Sequence, residues 1–144
     1  MRILVIDYDN NKFNKIKEII EKIEDNLSID LAKSMSSGIK LLNDHNKKNN
    51  ENNPYDLLIC DSLLPMFDEL NELDHLGEMI VAYTRKKCNE ELIITMCSYD
   101  KSLNCDYDFN IDCDSSINID DQFKYIINDI NMKKSKRKIL RKGL

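Results

Sequence analysis

Two aspartates, Asp7 and Asp61, each end an unbroken apolar run, and a carboxylate there has a cost that calls for a reason. The runs are Ile3-Leu4-Val5-Ile6, leading into Asp7-Tyr8-Asp9, and Leu57-Leu58-Ile59-Cys60, leading into Asp61-Ser62-Leu63-Leu64-Pro65. Continuous apolar stretches of this length read as strands buried on both faces, as in a parallel sheet. Each strand then delivers its acid to the carboxyl edge, where open α/β sheets bind ligands. Two buried strands that each end in an acid therefore mark that edge as the candidate site for ligand binding and chemistry. The plain alternative is that Asp7 and Asp9 only stabilise a strand-to-helix turn, where aspartate is favoured anyway.

The elements that must position these residues follow from the pattern. Phe13, Ile16, Ile20 and Ile23 form one apolar stripe at helical spacing, with Asn10 and Asn11 as candidate caps. Leu27, Ile29 and Leu31 alternate with polar residues, which predicts a strand with one wet face. Ser36 or Ser37 opens a short helix through Leu42. Residues 43–53 are polar, Asn-rich and aperiodic; they predict a surface loop with a solvated His45. A helix over Glu78–Lys87, the strand Leu92–Met96 and a short helix within 99–105 follow. Tyr107, Phe109 and Ile111 then alternate with polar residues, and Asp120 or Asp121 caps a final helix through Phe123, Ile126, Ile127 and Ile130. Five strands alternate with helices, and only the second and fifth show the wet-face alternation of edges. The order 2-1-3-4-5 puts those two at the edges and sets the acid-tipped first and third strands side by side at the switch point. The expected fold class is therefore α/β and flavodoxin-like, with helices on both faces.

At 144 residues the chain is long enough for one well-buried core. No apolar run reaches membrane-spanning length, and the opening apolar run is too short for a signal peptide. Five cysteines, an odd number without metal-type spacing, suggest a reducing cytoplasm and no disulfide framework, with Cys60 and Cys97 acting as small apolar residues. Residues 133–144 hold seven of the 21 basic residues and none of the 26 acids, so the other 132 residues carry a net −12 against −5 for the chain. We divide the chain into a domain over 1–132 and a basic tail over 133–144. The tail reads first as a solvated helix end; the other readings are contact with nucleic acid or an anionic surface, or folding against the acidic body.

The arrangement resembles a response-regulator receiver domain of two-component signalling. The resemblance rests on Ile3–Asp9, on Tyr55–Pro65 with its Asp-x-x-x-Pro, and on Ile119-Asp120-Asp121-Gln122-Phe123, and it covers the chain to about residue 131. It implies that Asp61 is the phospho-acceptor for a histidine kinase. Asp7 and Asp61, with Asp9 drawn in, would be ligands of Mg²⁺, and Thr95 or Ser98 would be the switch hydroxyl. Docking in the family uses a face that includes the fifth strand, here Tyr107–Asp112. The sequence departs from the family at three points. Tyr8 stands where a second metal-binding acid is usual. The lysine expected at the end of the fifth strand is missing: its place falls to Asn110, Asp112 or Ser115, and Lys101 lies too early. Gly77-Glu78-Met79-Ile80 resembles the start of the third helix, which makes part of 66–76, including His75, an insertion beside the site. These departures predict an atypical, stand-alone receiver-like module in which Mg²⁺ binding is weakened. It would bind a kinase or a downstream effector, with weak or no phosphate switching and no enzymatic activity of its own. The competing reading is a small haloacid-dehalogenase-like phosphatase, which Asp7-x-Asp9 also resembles, with Asp7 as nucleophile and Asp9 as general acid/base. In that reading Thr95, Lys101 and Asp112 or Asp114 would fill the remaining positions.

Overall fold

A computed structural model of the chain describes residues 1–48, 53–98, 103–113 and 118–143. Five parallel strands, β1 (Arg2–Ile6), β2 (Ser28–Ala32), β3 (Leu57–Asp61), β4 (Ile93–Cys97) and β5 (Phe109–Ile111), form one sheet in the order β2-β1-β3-β4-β5. The two strands with wet-face alternation are its edges, as the pattern requires. β1 and β3 pair from Ile3↔Leu57 to Ile6↔Cys60, so the residues that follow, Asp7 and Asp61, emerge together at the carboxyl edge.

Alternation along the buried strands divides the core into two layers. Ile3, Val5, Leu57 and Ile59 face Ile16, Ile19 and Ile20 of α1 (Asn10–Ile23) and Phe123, Ile126, Ile127 and Ile130 of α4 (Ile119–Lys142). On the other side, Leu4, Ile6, Leu58 and Cys60 face Leu42 of α2 (Met35–Asn46) and Ile80 and Val81 of α3 (Gly77–Lys87). At about 1.5–3 kcal/mol for each fully buried aliphatic side chain, these two layers are the main term holding the sheet flanked by helices.

Several local expectations are corrected. Asp9, and neither Asn10 nor Asn11, caps α1, accepting from the backbone N–H groups of Asn11 and Lys12. The cap of α2 is Ser34, which exchanges hydrogen bonds with Ser37 as a capping box. Asn118, in the left-handed region at φ 60°, precedes α4, leaving Asp120 and Asp121 in its first turn, where the helix dipole favours acids. The expected helix within 99–105 falls partly on 99–102, outside the described residues, and 103–105 are not helical. α4 continues unbroken to Lys142 and so includes the basic residues from 133 on; Lys134 and Arg137 reach back to Asp56 at 2.8 Å and Glu91 at 2.7 Å.

The Asn-rich stretch is the largest correction. α2 runs through Asn46, which is buried and holds the Tyr55 backbone from both sides, donating to its carbonyl (3.0 Å) and accepting from its N–H (2.7 Å). Those two bonds fix the entry to β3. His45, expected in solvent, packs edge-on to Tyr55, and its Nδ1 lies 2.9 Å from the Arg2 guanidinium, which covers the Tyr55 ring. Asn46→Ala would strand two buried backbone groups and is expected to cost about 2 kcal/mol in urea unfolding. A loss under about 0.5 kcal/mol would mean that water replaces the amide.

Candidate functional site

Asp7, Asp61, Ser62, Cys97, Ser98 and Cys113 line one cleft of about 780 Å³ at the carboxyl edge, with Lys12 among them. Asp7 comes from the residue after β1, Asp61 from the last residue of β3, and Ser98 from the residue after β4. Gly77 makes this assembly fit, because a Cβ there would lie 2.1 Å from the Asp61 carbonyl oxygen and 2.7 Å from the Ser62 Cα. The first turn of α3 can approach the end of β3 only without a side chain, and the Gly77 N–H donates to the Ser62 carbonyl (3.1 Å).

At the centre of the cleft lies Lys12. Its Nζ donates to Asp61 Oδ2 at 2.9 Å and lies 3.4 Å from Asp7 Oδ2. All three side chains are shielded: Asp7 is 1% exposed, Lys12 12% and Asp61 18%. The other Asp7 oxygen accepts from the Asp9 N–H at 2.9 Å. Burial pushes the Asp7 carboxyl up to about 6, opposed by the Lys12 charge and helped by the Asp61 charge. Lys12 occupies the third position of α1, whose first turn holds no acid. A cation there opposes the helix dipole, so its placement is offset by the two carboxylates it bridges.

Of the residues expected to act together, Asp7, Asp61 and Ser98 converge. Asp9 also lines the cleft, with one of its oxygens capping α1. Thr95 is fully buried in mid-strand, paired in register with Ile59 and Phe109, and does not line the cleft; Ser98 does. Tyr8 points its hydroxyl to Asn71 (3.2 Å), in the segment read as an insertion. That segment folds back by paired Leu64–Asp74 backbone bonds and borders the cleft with Asp68, Asn71 and Leu73. Lys101, Asp114 and Ser115 lie outside the described residues.

Two features were missed in the sequence. One is Lys12, for which a cation in the first turn of a helix that follows an acidic strand end was the available signal. The other is a disulfide joining Cys97 to Cys113, which corrects the expectation of no disulfide framework and of Cys97 as a small apolar residue. Cys97 pairs in register with Ile111, so Cys113 lies two residues beyond that rung, at the same edge. The cross-link ties the end of β4 to the chain leaving β5. Lys15 secures the same point from α1, donating to the Cys113 carbonyl at 3.3 Å.

A divalent ion would need the oxygens of Asp7 and Asp61 that already face the Lys12 ammonium, and Tyr8 adds no acid. Among the described residues no group of three His, Cys, Asp or Glu side chains is placed to hold a metal. The residues therefore do not fit a resident divalent ion while Lys12 stays in place.

No family model matches the chain, and no curated protein matches it. Solved structures do. A CheY-like response regulator receiver domain from Methylobacillus flagellatus aligns with a TM-score of 0.61 at 14% identity, covering 90% of this chain and 98% of that one. The N-terminal domain of a response regulator/sensory box/GGDEF 3-domain protein from Carboxydothermus hydrogenoformans aligns at 0.64 with 10% identity, covering 94% and 98%. The Mn²⁺-bound form of response regulator Rcp1 aligns at 0.57 with 14% identity, covering 87% and 90%. With the strand order, the acid-tipped β1 and β3 and the cleft between them, these likenesses establish that the chain has the fold of the response-regulator receiver domains.

Proposed function

We propose that the chain is a receiver-like signalling module that acts by binding a protein partner, with Asp61 in the phospho-acceptor position and phosphorylation a weak switch or none. The observation that carries this reading is the state of the cleft. Asp61 stands beside Asp7 in a cleft that Ser98 also lines, yet one of the two acid charges is offset from within by Lys12. The sequence has no lysine between Lys101 and Lys124 to grip a phosphate from the end of β5. Phosphorylation adds charge that must be met by such groups before a loop can be drawn into a second arrangement.

The partner is a histidine kinase or a downstream effector, and β5 with α4 is the docking face. There Phe109 and Tyr125 meet edge to face at 6.1 Å, and Tyr125 is 66% exposed. Aromatic anchors of this kind dominate protein interfaces. In this reading the basic turns of α4 are a further contact for an anionic surface, and the protein works in the cytoplasm without catalysis of its own.

The test is intact mass after incubation with acetyl phosphate and Mg²⁺, beside Asp61→Asn. No adduct, or a trace that vanishes in the variant, is the expected outcome. A stoichiometric adduct on Asp61 would mean an ordinary phosphate switch and would overturn the atypical part of the reading.

A further inference from the structure

We propose that the Lys12 ammonium is the resident cation of the cleft, occupying the place between Asp7 and Asp61 where a divalent metal ion would otherwise bind. The proposal deepens the reading of the cleft as a receiver acid pocket and rests on it.

Three observations converge. The Nζ lies within 3.4 Å of one oxygen from each acid, and the two acids are brought side by side at the ends of the paired strands β1 and β3. Asp7 Oδ2 makes no hydrogen bond among the described residues, so the ammonium is the charge that it faces. The lysine also sits where its own helix disfavours it. The tilt of helical Cβ atoms toward the N-terminus aims a side chain from the first turn of α1 back over the strand ends. The α1 backbone is fixed by the Asp9 cap, so the stem of Lys12 starts from a defined position.

The chemistry of the replacement is specific. Mg²⁺ or Mn²⁺ is held by one or two carboxylates completed by water, so Asp7 and Asp61 would suffice as protein ligands in an empty cleft. A tethered ammonium supplies one positive charge and three donors at a high local concentration, with no dependence on the metal outside. Toward a phosphoryl oxygen it can offer a hydrogen bond but, unlike a metal, no Lewis-acid coordination position. The cleft then holds one charge state whatever the metal supply.

The test is Mn²⁺ binding to the purified full chain at pH 8.5, read from loss of the free-ion EPR signal, for wild type, Lys12→Met and Lys12→Arg. Methionine keeps the length of the stem and removes the charge; arginine keeps the charge. Wild type and Lys12→Arg are expected to bind at least about tenfold more weakly than Lys12→Met, and Lys12→Met/Asp61→Asn is expected to lose the gain. Equal binding by wild type and Lys12→Met, or no binding by either, would overturn the proposal. If Lys12→Met does not unfold cooperatively, the wild type decides alone: its Lys12 ammonium NMR signal is expected to stay unchanged through a Mg²⁺ titration, and displacement of that signal would overturn the proposal. None of these readouts depends on a partner or on phosphate uptake, so the proposed function can fail without them.

Discussion

Asp7→Asn is expected to make the protein more stable at pH 8, by about 3 kcal/mol. Burial raises the Asp7 carboxyl from 3.8 to about 6 in the fold, and the unfolded chain restores the lower value. Between those two pH values the native state binds the extra proton. Its stability therefore falls as pH rises from about 4 to about 6 and then levels off, the reverse of a well-paired surface acid. Asparagine keeps the shape and the acceptor for the Asp9 N–H while removing the charge. The difference between variant and wild type in urea unfolding should be small near pH 4, grow across that window and reach its plateau by about pH 7. A difference that ignores pH, or a variant less stable than wild type at pH 8, would show that the Lys12 pairing fully compensates the buried charge. The expected result identifies the cleft as a place where the fold gives up stability to keep an ionised acid, a property more typical of working sites than of structural turns.

The second large effect is expected at Gly77. Replacing it with alanine puts a methyl group into the backbone of Asp61 and Ser62, and none of the three atoms nearest to it belongs to a side chain that can swing away. Either the first turn of α3 lifts off or the end of β3 is pushed aside, at about 3 kcal/mol. Urea unfolding measures the loss, and amide chemical shifts at Asp61 and Ser62 should move even at low temperature. A variant within about 0.5 kcal/mol of wild type, with those shifts unchanged, would mean that α3 does not pack as closely as described.

What could be read from the sequence was whatever depends on a strand's own pattern. The unbroken apolar runs before Asp7 and Asp61 gave two central strands, the wet-face alternation at 27–31 and 107–111 gave the edges, and together they gave the order of the sheet. What could not be read depends on reach across the fold. Lys12 looks like any polar position of an amphipathic helix until α1 is placed over the strand ends. Cys97 and Cys113 are 16 residues apart, and only the β4–β5 register brings them together. Asn46 was hidden by composition, since one buried amide among many asparagines has the same letter as its solvated neighbours. Thr95 and Ser98 were both weighed from the sequence, and a difference of three residues along β4 put one in the core and the other in the cleft.

The run of α4 has a consequence for the molecule in an electric field. The helix begins near the acid-lined edge and ends past the opposite one, carrying its basic residues beyond the contacts to Asp56 and Glu91. Positive charge gathers toward that end of the helix, where seven of the 21 basic residues lie. A charged surface exerts a torque on such a particle before any atom touches it. Such a field turns the basic end of α4 toward negative potential. Added salt would weaken that alignment over a distance of about 10 Å at 0.1 M ionic strength.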